Sequence, residues 1–477
     1  PEAAHPFAAL GAPARVHGSC TDRDRPEPPR ATCRSLACTG PRGRPSCAPI
    51  RHTGDPMSMP SAEWLRDRPH VRTIRVAACD LNGVARGKRM PSGRAAGVLQ
   101  SGTRFPLSAL NLDIWGEDIE DSPLVFETGD RDGVLHPTER GFVPMPWLEA
   151  PTALLPIWMF HDDGRVFDGD PRHALARVAQ RYADRGLTPV VAVELEFFLI
   201  DDSTRTLQVP ASPRSGKRRV AAEILSIRAL DAFDRFFTDL YEACEAMEIP
   251  ADTIISEAGL GQFEVNLIHQ ADALRAADDA WLFKMLVKGL ARRHGFAASF
   301  MAKPYEDYAG NGMHAHFSVL DAQGRNIFDD GGAQGTETLR HAIGGCLAAM
   351  HDSALIFAPH LNSYARFVPG SHAPSGLAWA YENRTVALRV PSGPPVARRI
   401  EHRVSGGDVN PYLALAAILG AALTGIEEAT LPPAPVTGNA YALDLPRMPT
   451  EWGAAIDAFE DSAAMRRIFP DLLMRNL

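Results

Sequence analysis

The stretch Val190–Ile200 reads VVAVELEFFLI, an apolar run interrupted only by Glu194 and Glu196. Length and β-branched content make it a buried strand, and residues two apart on a strand share a face. Both carboxylates therefore leave an otherwise apolar segment on the same side. Burying two like charges costs several kcal/mol unless something compensates. Solvated edge acids are the alternative, but Phe197, Phe198 and Leu199 directly after them favour burial and a cation partner.

Three further segments have the same character. Glu257 and Glu264 flank two glycines in SEAGLGQFEVNL, which reads as a close-approach turn followed by a strand from Gln262. GNGMHAHFSVL places His314, His316 and Ser318 on one strand face after a Gly-rich turn. A lone buried His is usually a satisfied core residue; an HxH pair on one face is less often so. ALRV and IEHR supply Arg389, Glu401 and Arg403, either as a structural ion pair or as part of the same site. Five Glu with one or two His suit Mg²⁺ or Mn²⁺ better than Zn²⁺. Two such ions beside an arginine cluster make a phosphoryl-transfer site. Familiar nucleotide signatures are absent: GVARGK at residues 83–88 is one residue short of a P-loop, and no GxGxxG or HExxH occurs.

Composition narrows the class. Lys+Arg 49 against Asp+Glu 58 leaves a net charge of −9, which argues against a nucleic-acid partner. Only five of those basic residues are Lys (88, 217, 284, 288 and 303), so an individual Arg means little without positional support. The longest apolar candidate, Tyr412–Ile426, is read as a core helix, so no membrane span is expected. Seven scattered Cys without a CxxC pair fit a reducing, cytoplasmic setting, and no signal peptide is expected.

Residues 1–56 hold 10 of the 39 Pro and 4 of the 7 Cys and show no periodicity. They are read as a disordered tail or a mis-called start. Without them the balance is 41 basic to 53 acidic residues. From Val71 the text is β-like and breaks at Asn82-Gly83, a hairpin signal. Residues 63–165 read as a small, mostly β domain. Pro171 opens a helix that ends near Gly186, and strands then alternate with longer helices across 168–477.

The motif order ExEFFL, GQxE, GxGMHxHxS, NSYxRxxPG, NRxxxxRxP, RxExR and NPYLxxAA resembles the glutamine synthetase family over about residues 68–477. The resemblance implies an α+β fold: a β-grasp-like N-terminal domain, then a catalytic domain whose curved antiparallel sheet, backed by helices, surrounds a two-metal funnel. It also implies a homo-oligomer of stacked rings, a dodecamer, with active sites at subunit interfaces. By match of position, one Mg²⁺ (or Mn²⁺) would be held by Glu196, Glu257 and Glu264, and the other by Glu194, His314 and Glu401. His316, Ser318 and Arg389 match the ATP side, with Arg384 on a phosphate. Gly310, Arg366 and Arg403 match the acidic-substrate side, which His314 also faces. The implied reaction activates the γ-carboxylate of glutamate with ATP and passes the acyl group to a nitrogen.

The departures bear on that nitrogen. Where glutamine synthetases carry PGxEAP, this chain has PGSHAP, which puts His372 at the flap position as a general base or as an exposed flap residue. The DGSS-like stretch is replaced by RFPLSALNLDIWGED, and Ala309 stands where an asparagine is usual. DLNGVARGKRMP and WAYENRTVALRVP resemble the γ-glutamylamine ligase branch. The expectation is therefore a ligase joining glutamate to a polyamine or monoamine. Ammonia-using glutamine synthetase, a non-catalytic ring protein and a metal-dependent hydrolase are the alternatives.

Overall fold

The computed structural model describes residues 62–203, 207–368 and 373–477, all within one compact unit. Residues 1–56 and His372 lie outside the described residues.

The first sheet is built from β1 (Thr73–Cys79), β2 (Ala85–Pro91), β3 (Thr103–Pro106), β4 (Asp132–Pro137), β5 (Val143–Pro144) and β6 (Thr152–Phe160). Its order is β2-β1-β6-β4-β3 with β5 against β6, and only β1 and β6 run parallel. The expected hairpin at Asn82-Gly83 forms here. Asp80 builds the turn: its carboxylate accepts from the Asn82 and Val84 amides at 2.9 and 2.8 Å and from Arg86 Nε at 2.7 Å. Gly83 supplies the left-handed residue, with φ +76°.

The second sheet contains β7 (Thr188–Ile200), β8 (Ala251–Ser256), β9 (Gln262–Leu267), β10 (Ala297–Ser299), β11 (Met313–Leu320), β12 (Trp379–Tyr381), β13 (Leu388–Val390) and β14 (Ile400–His402). Its order is β12-β13-β14-β11-β7-β9-β8, with β10 beside β7. Every pairing is antiparallel except β12–β13, which departs from the all-antiparallel expectation. Val193, Leu195, Phe197, Phe263, Val265, Ala315, Phe317 and Ile400 turn to one side and join the main core. Alternation then sends their neighbours to the other side.

Helices cover the apolar face. Pro171–Ala183 starts at Asp170, whose side chain accepts from the Arg172 amide. Ala273–Arg293 and Pro411–Glu428 pack behind the sheet. At 18 residues the latter is long and apolar enough to cross a membrane by length and composition alone, slightly more than its sequence suggested. It is nonetheless mostly buried in the protein, as a core helix should be.

Two buried ion pairs fasten the first sheet's neighbourhood to the Ala273–Arg293 helix. Arg172 grips Asp278 with both arms at 3.0 and 3.1 Å, and Arg140 Nε meets Asp279 at 3.2 Å. The hairpin tip is held as well: Trp281 Nε1 donates to the Gly83 carbonyl at 3.1 Å, and Asn410 Nδ2 donates to the Asp80 and Leu81 carbonyls.

Candidate active site

Register decides which side chains meet. Glu194 lies opposite His314 and Asn266, Glu196 opposite Glu264, His316 opposite Glu401, and Glu401 opposite Arg389. Directly paired residues share a face. The second sheet thus has an ionisable face spanning five adjacent strands, back to back with its apolar one.

On that face two groups could each hold a cation. Glu194, His314 and Glu401 form one; Glu196, Glu264 and His314 form the other, and in each the donor atoms lie within 4.8 Å of one another. His314 belongs to both. Glu194 contacts His314 Nδ1 at 3.0 Å and His316 Nε2 at 2.9 Å, and Asn266 Nδ2 donates to it at 3.3 Å. Burial raises its carboxyl pKa, but the two histidines outweigh burial and hold it far below the usual carboxylate range. Glu196 accepts from the Gly312 amide at 2.7 Å and from Gln262 Nε2 at 3.3 Å.

Glu264 is 7 % exposed, and no hydrogen bond reaches its carboxylate among the described residues. Burial and then the charges of Glu194, Glu196 and Glu257 push its pKa far upward. The donor atoms of Glu257, the remaining member of the expected trio with Glu196 and Glu264, are not among those within 4.8 Å of one another in the second group. Glu257 still feels that group, being pushed up to about 7 by burial and then by Glu196. Crowded, partly unsatisfied carboxylates with one shared imidazole are a donor set for hard divalent cations, so Mg²⁺ or Mn²⁺ fits this face.

Arginines close the cluster. Arg389 Nη1 meets Glu401 at 2.7 Å and its Nη2 meets Glu382 at 3.1 Å; Arg403 Nη1 also pairs with Glu401. The Nε atoms of Arg389 and Arg403 are buried with no hydrogen-bond partner among the described residues. Arg366 is 4 % exposed and fixed by the Val404 carbonyl at 2.6 Å. It packs against Gly310, where a Cβ would lie 2.8 Å from Arg366 Cγ and collide with the Ala302 carbonyl. Close approach therefore requires glycine here. Ser318 shares the face two residues beyond His316, half-buried. Arg384 is exposed between β12 and β13, and its charge acts on Glu257.

Several partners had no role assigned from the sequence. Arg399, the first arginine of the RxExR motif, donates from Nε to His316 Nδ1 at 3.1 Å. Asn266 had its spacing of two from Glu264 as a signal. Gln262 reaches across to the Gly310 carbonyl at 2.9 Å and to Asn311 at 3.1 Å, a link no local spacing announces. His269 lies 6.3 Å ring to ring from His316, and burial followed by His316 pulls it down to about 4.

Paired cation positions flanked by unsatisfied guanidinium donors can neutralise a phosphoryl group during transfer. A family model described as glutamine synthetase, catalytic domain, matches residues 168–476, and the chain belongs to the glutamine synthetase family. Within it, the chain is 37% identical over 407 residues to gamma-glutamylputrescine synthetase PuuA of Escherichia coli, covering 85% of this chain and 86% of that one. It is 30% identical over 434 residues to gamma-glutamylethanolamide synthetase GlnA4 of Streptomyces coelicolor, covering 90% and 92%. A solved GmaS/ADP complex superposes with a TM-score of 0.76 at 27% identity, covering 88% of this chain and 94% of that one.

Proposed function

We propose that this protein is an ATP-dependent carbon–nitrogen ligase that joins the γ-carboxylate of glutamate to an amine other than ammonia. The observation that carries this reading is the likeness, over most of both chains, to two relatives named for γ-glutamyl amides of putrescine and ethanolamine. The ionisable sheet face supports it, since its cation groups and arginines suit ATP chemistry.

In the first step a γ-carboxylate oxygen attacks the terminal phosphorus of ATP, and ADP leaves. In the second the amine nitrogen attacks the acyl carbon, phosphate leaves, and the extra proton on nitrogen passes to a base. Gly310, packed against the Ala302 carbonyl and Arg366, matches the glycine whose backbone lies against glutamate. Arg403 and Arg389 would offset the negative charge that develops on phosphate, and Arg384, exposed between β12 and β13, would contact a phosphate. His316, held by Arg399, and Ser318 line the nucleotide side. His372 takes the proton as general base. Glu194, His314 and Glu401, and Glu196, Glu264 and His314, with Glu257 nearby, would hold Mg²⁺ or Mn²⁺, which when bound would supply positive charge against the phosphate. The working form is a cytoplasmic homo-oligomer of stacked rings. The buried, unpaired Cys79, Cys244 and Cys346 support a reducing compartment.

The test is phosphate release with ATP, Mg²⁺ and glutamate, comparing ammonium with a panel of mono- and polyamines. Turnover well above ammonium for at least one amine is expected. Faster turnover with ammonium would make this a divergent glutamine synthetase.

A further inference from the structure

Away from the ionisable face, a cavity of about 600 Å³ lies between the hairpin tip at Asn82–Ala85, the Ala273–Arg293 helix and the exit of β10. It contains none of the residues assigned above to metal, ATP or glutamate. Lys284 and Lys288, one helical turn apart, both line it. Like charges at that spacing repel. Among the described residues neither lysine has a carboxylate within ion-pair distance. Two of the chain's five lysines therefore share one cavity in a protein that otherwise uses arginine.

The chemistry of the wall favours an anion. Lys284 Nζ donates to the Val409 carbonyl at 2.8 Å, which fixes the amine and leaves further N–H donors free. Both ammonium groups stand over the Phe300 ring, at 5.7 and 5.8 Å from its centroid, so the ring forms a common floor. Ser299 Oγ accepts from the Met301 amide at 3.2 Å, and its hydroxyl proton remains available. The one acid in the lining is Asp408. Its Oδ2 accepts from Ser363 at 2.6 Å while its Oδ1 is buried without a partner among the described residues, so it offsets part of the lysines' positive charge. His360 also borders the cavity.

We propose that this lysine-lined cavity binds a small oxyanion, a carboxylate or a phosphoryl group, at a site separate from the ionisable sheet face. The arrangement would report to that face. Lys284 holds Val409, and two residues earlier the Gly407 amide donates to the Asn311 carbonyl at 2.8 Å, beside Gly310.

Lysine acylation read residue by residue tests this on the full chain. Burial, with Lys288 nearby, lowers Lys284 to about 7, which makes it reactive near neutral pH. Labelling rates at all five lysines are compared in phosphate, acetate and chloride at matched ionic strength. Phosphate or acetate is expected to slow Lys284 and Lys288 several-fold relative to chloride, leaving Lys88 and Lys217, exposed like Lys288 but outside the cavity, unchanged. Lys288→Met should abolish most of the protection at Lys284. Protection by phosphate alone assigns a phosphoryl ligand, and by acetate alone a carboxylate. Equal rates in all three salts, or slowing shared equally with Lys88 and Lys217, would overturn the proposal. Because the readout is residue-resolved, it does not depend on turnover.

Discussion

Replacing Glu264 by Gln should have opposite effects on stability with and without divalent cation. In the metal-free chain Glu264 is a buried carboxylate without a hydrogen bond, in a group whose donor atoms lie within 4.8 Å. Two unit charges at that distance and an effective dielectric of about 20 repel by ~3 kcal/mol. Proton uptake relieves part of this, so Glu264→Gln should stabilise the chelator-treated protein by ~1–3 kcal/mol at pH 8. The amide keeps the volume and loses the charge. Adding Mg²⁺ at a hundredfold excess over its dissociation constant stabilises a binding fold by ~2.7 kcal/mol. Wild type should gain on that scale, the variant little. The assay is the thermal midpoint of each protein in chelator and across a Mg²⁺ titration. A variant less stable than wild type in chelator, or one with an undiminished Mg²⁺ shift, would refute the assignment of Glu264 to a cation group.

Three other outcomes are expected. Arg172→Leu strands Asp278, whose side chain is 2 % exposed, with little beyond the Tyr412 hydroxyl at 2.6 Å, and should cost ~3–5 kcal/mol. Adding Asp278→Leu should recover much of that in a denaturation double-mutant cycle. Arg403→Ala should lower kcat by ~10²–10³ with a near-normal thermal midpoint, because Arg389 still pairs with Glu401. Lys284 titrates at about 7 in the fold against an ordinary 10.5. Between those values the unfolded chain binds more protons, so this residue adds stability as pH rises, by up to ~5 kcal/mol. Lys284→Met should flatten that slope in pH-dependent unfolding, with wild type as the reference.

Much of the site was legible because strands write function with a period of two. Glu194 and Glu196, His314 and His316, and Glu401 and Arg403 each announced a shared face, and register then placed the pairs side by side. The core helix at Pro411–Glu428 and the Asn82-Gly83 turn were equally readable, since both depend on local chemistry. What escaped was long-range or degenerate. Nothing local to Gln262 says that it reaches Gly310 and Asn311, and the RxExR motif names Arg399 without saying that it holds His316. Glu257 was singled out beside the glycines of SEAGLGQFEVNL, and only its assignment to one cation followed from the resemblance. The parallel pairing of β12 and β13 is likewise set by packing rather than by either short sequence.

Asn410 also bears on how such chains can be recombined. Its side-chain oxygen caps the Pro411–Glu428 helix by accepting from the Tyr412 and Leu413 amides, while its nitrogen donates to Asp80 and Leu81. One amide thus initiates the core helix and holds the tip of a hairpin some 330 residues earlier. A chimera that grafts a foreign N-terminal sheet onto this catalytic region must import a turn whose carbonyls fall in the same two places. Otherwise it uncaps a helix at the centre of the core, and the damage appears far from the splice.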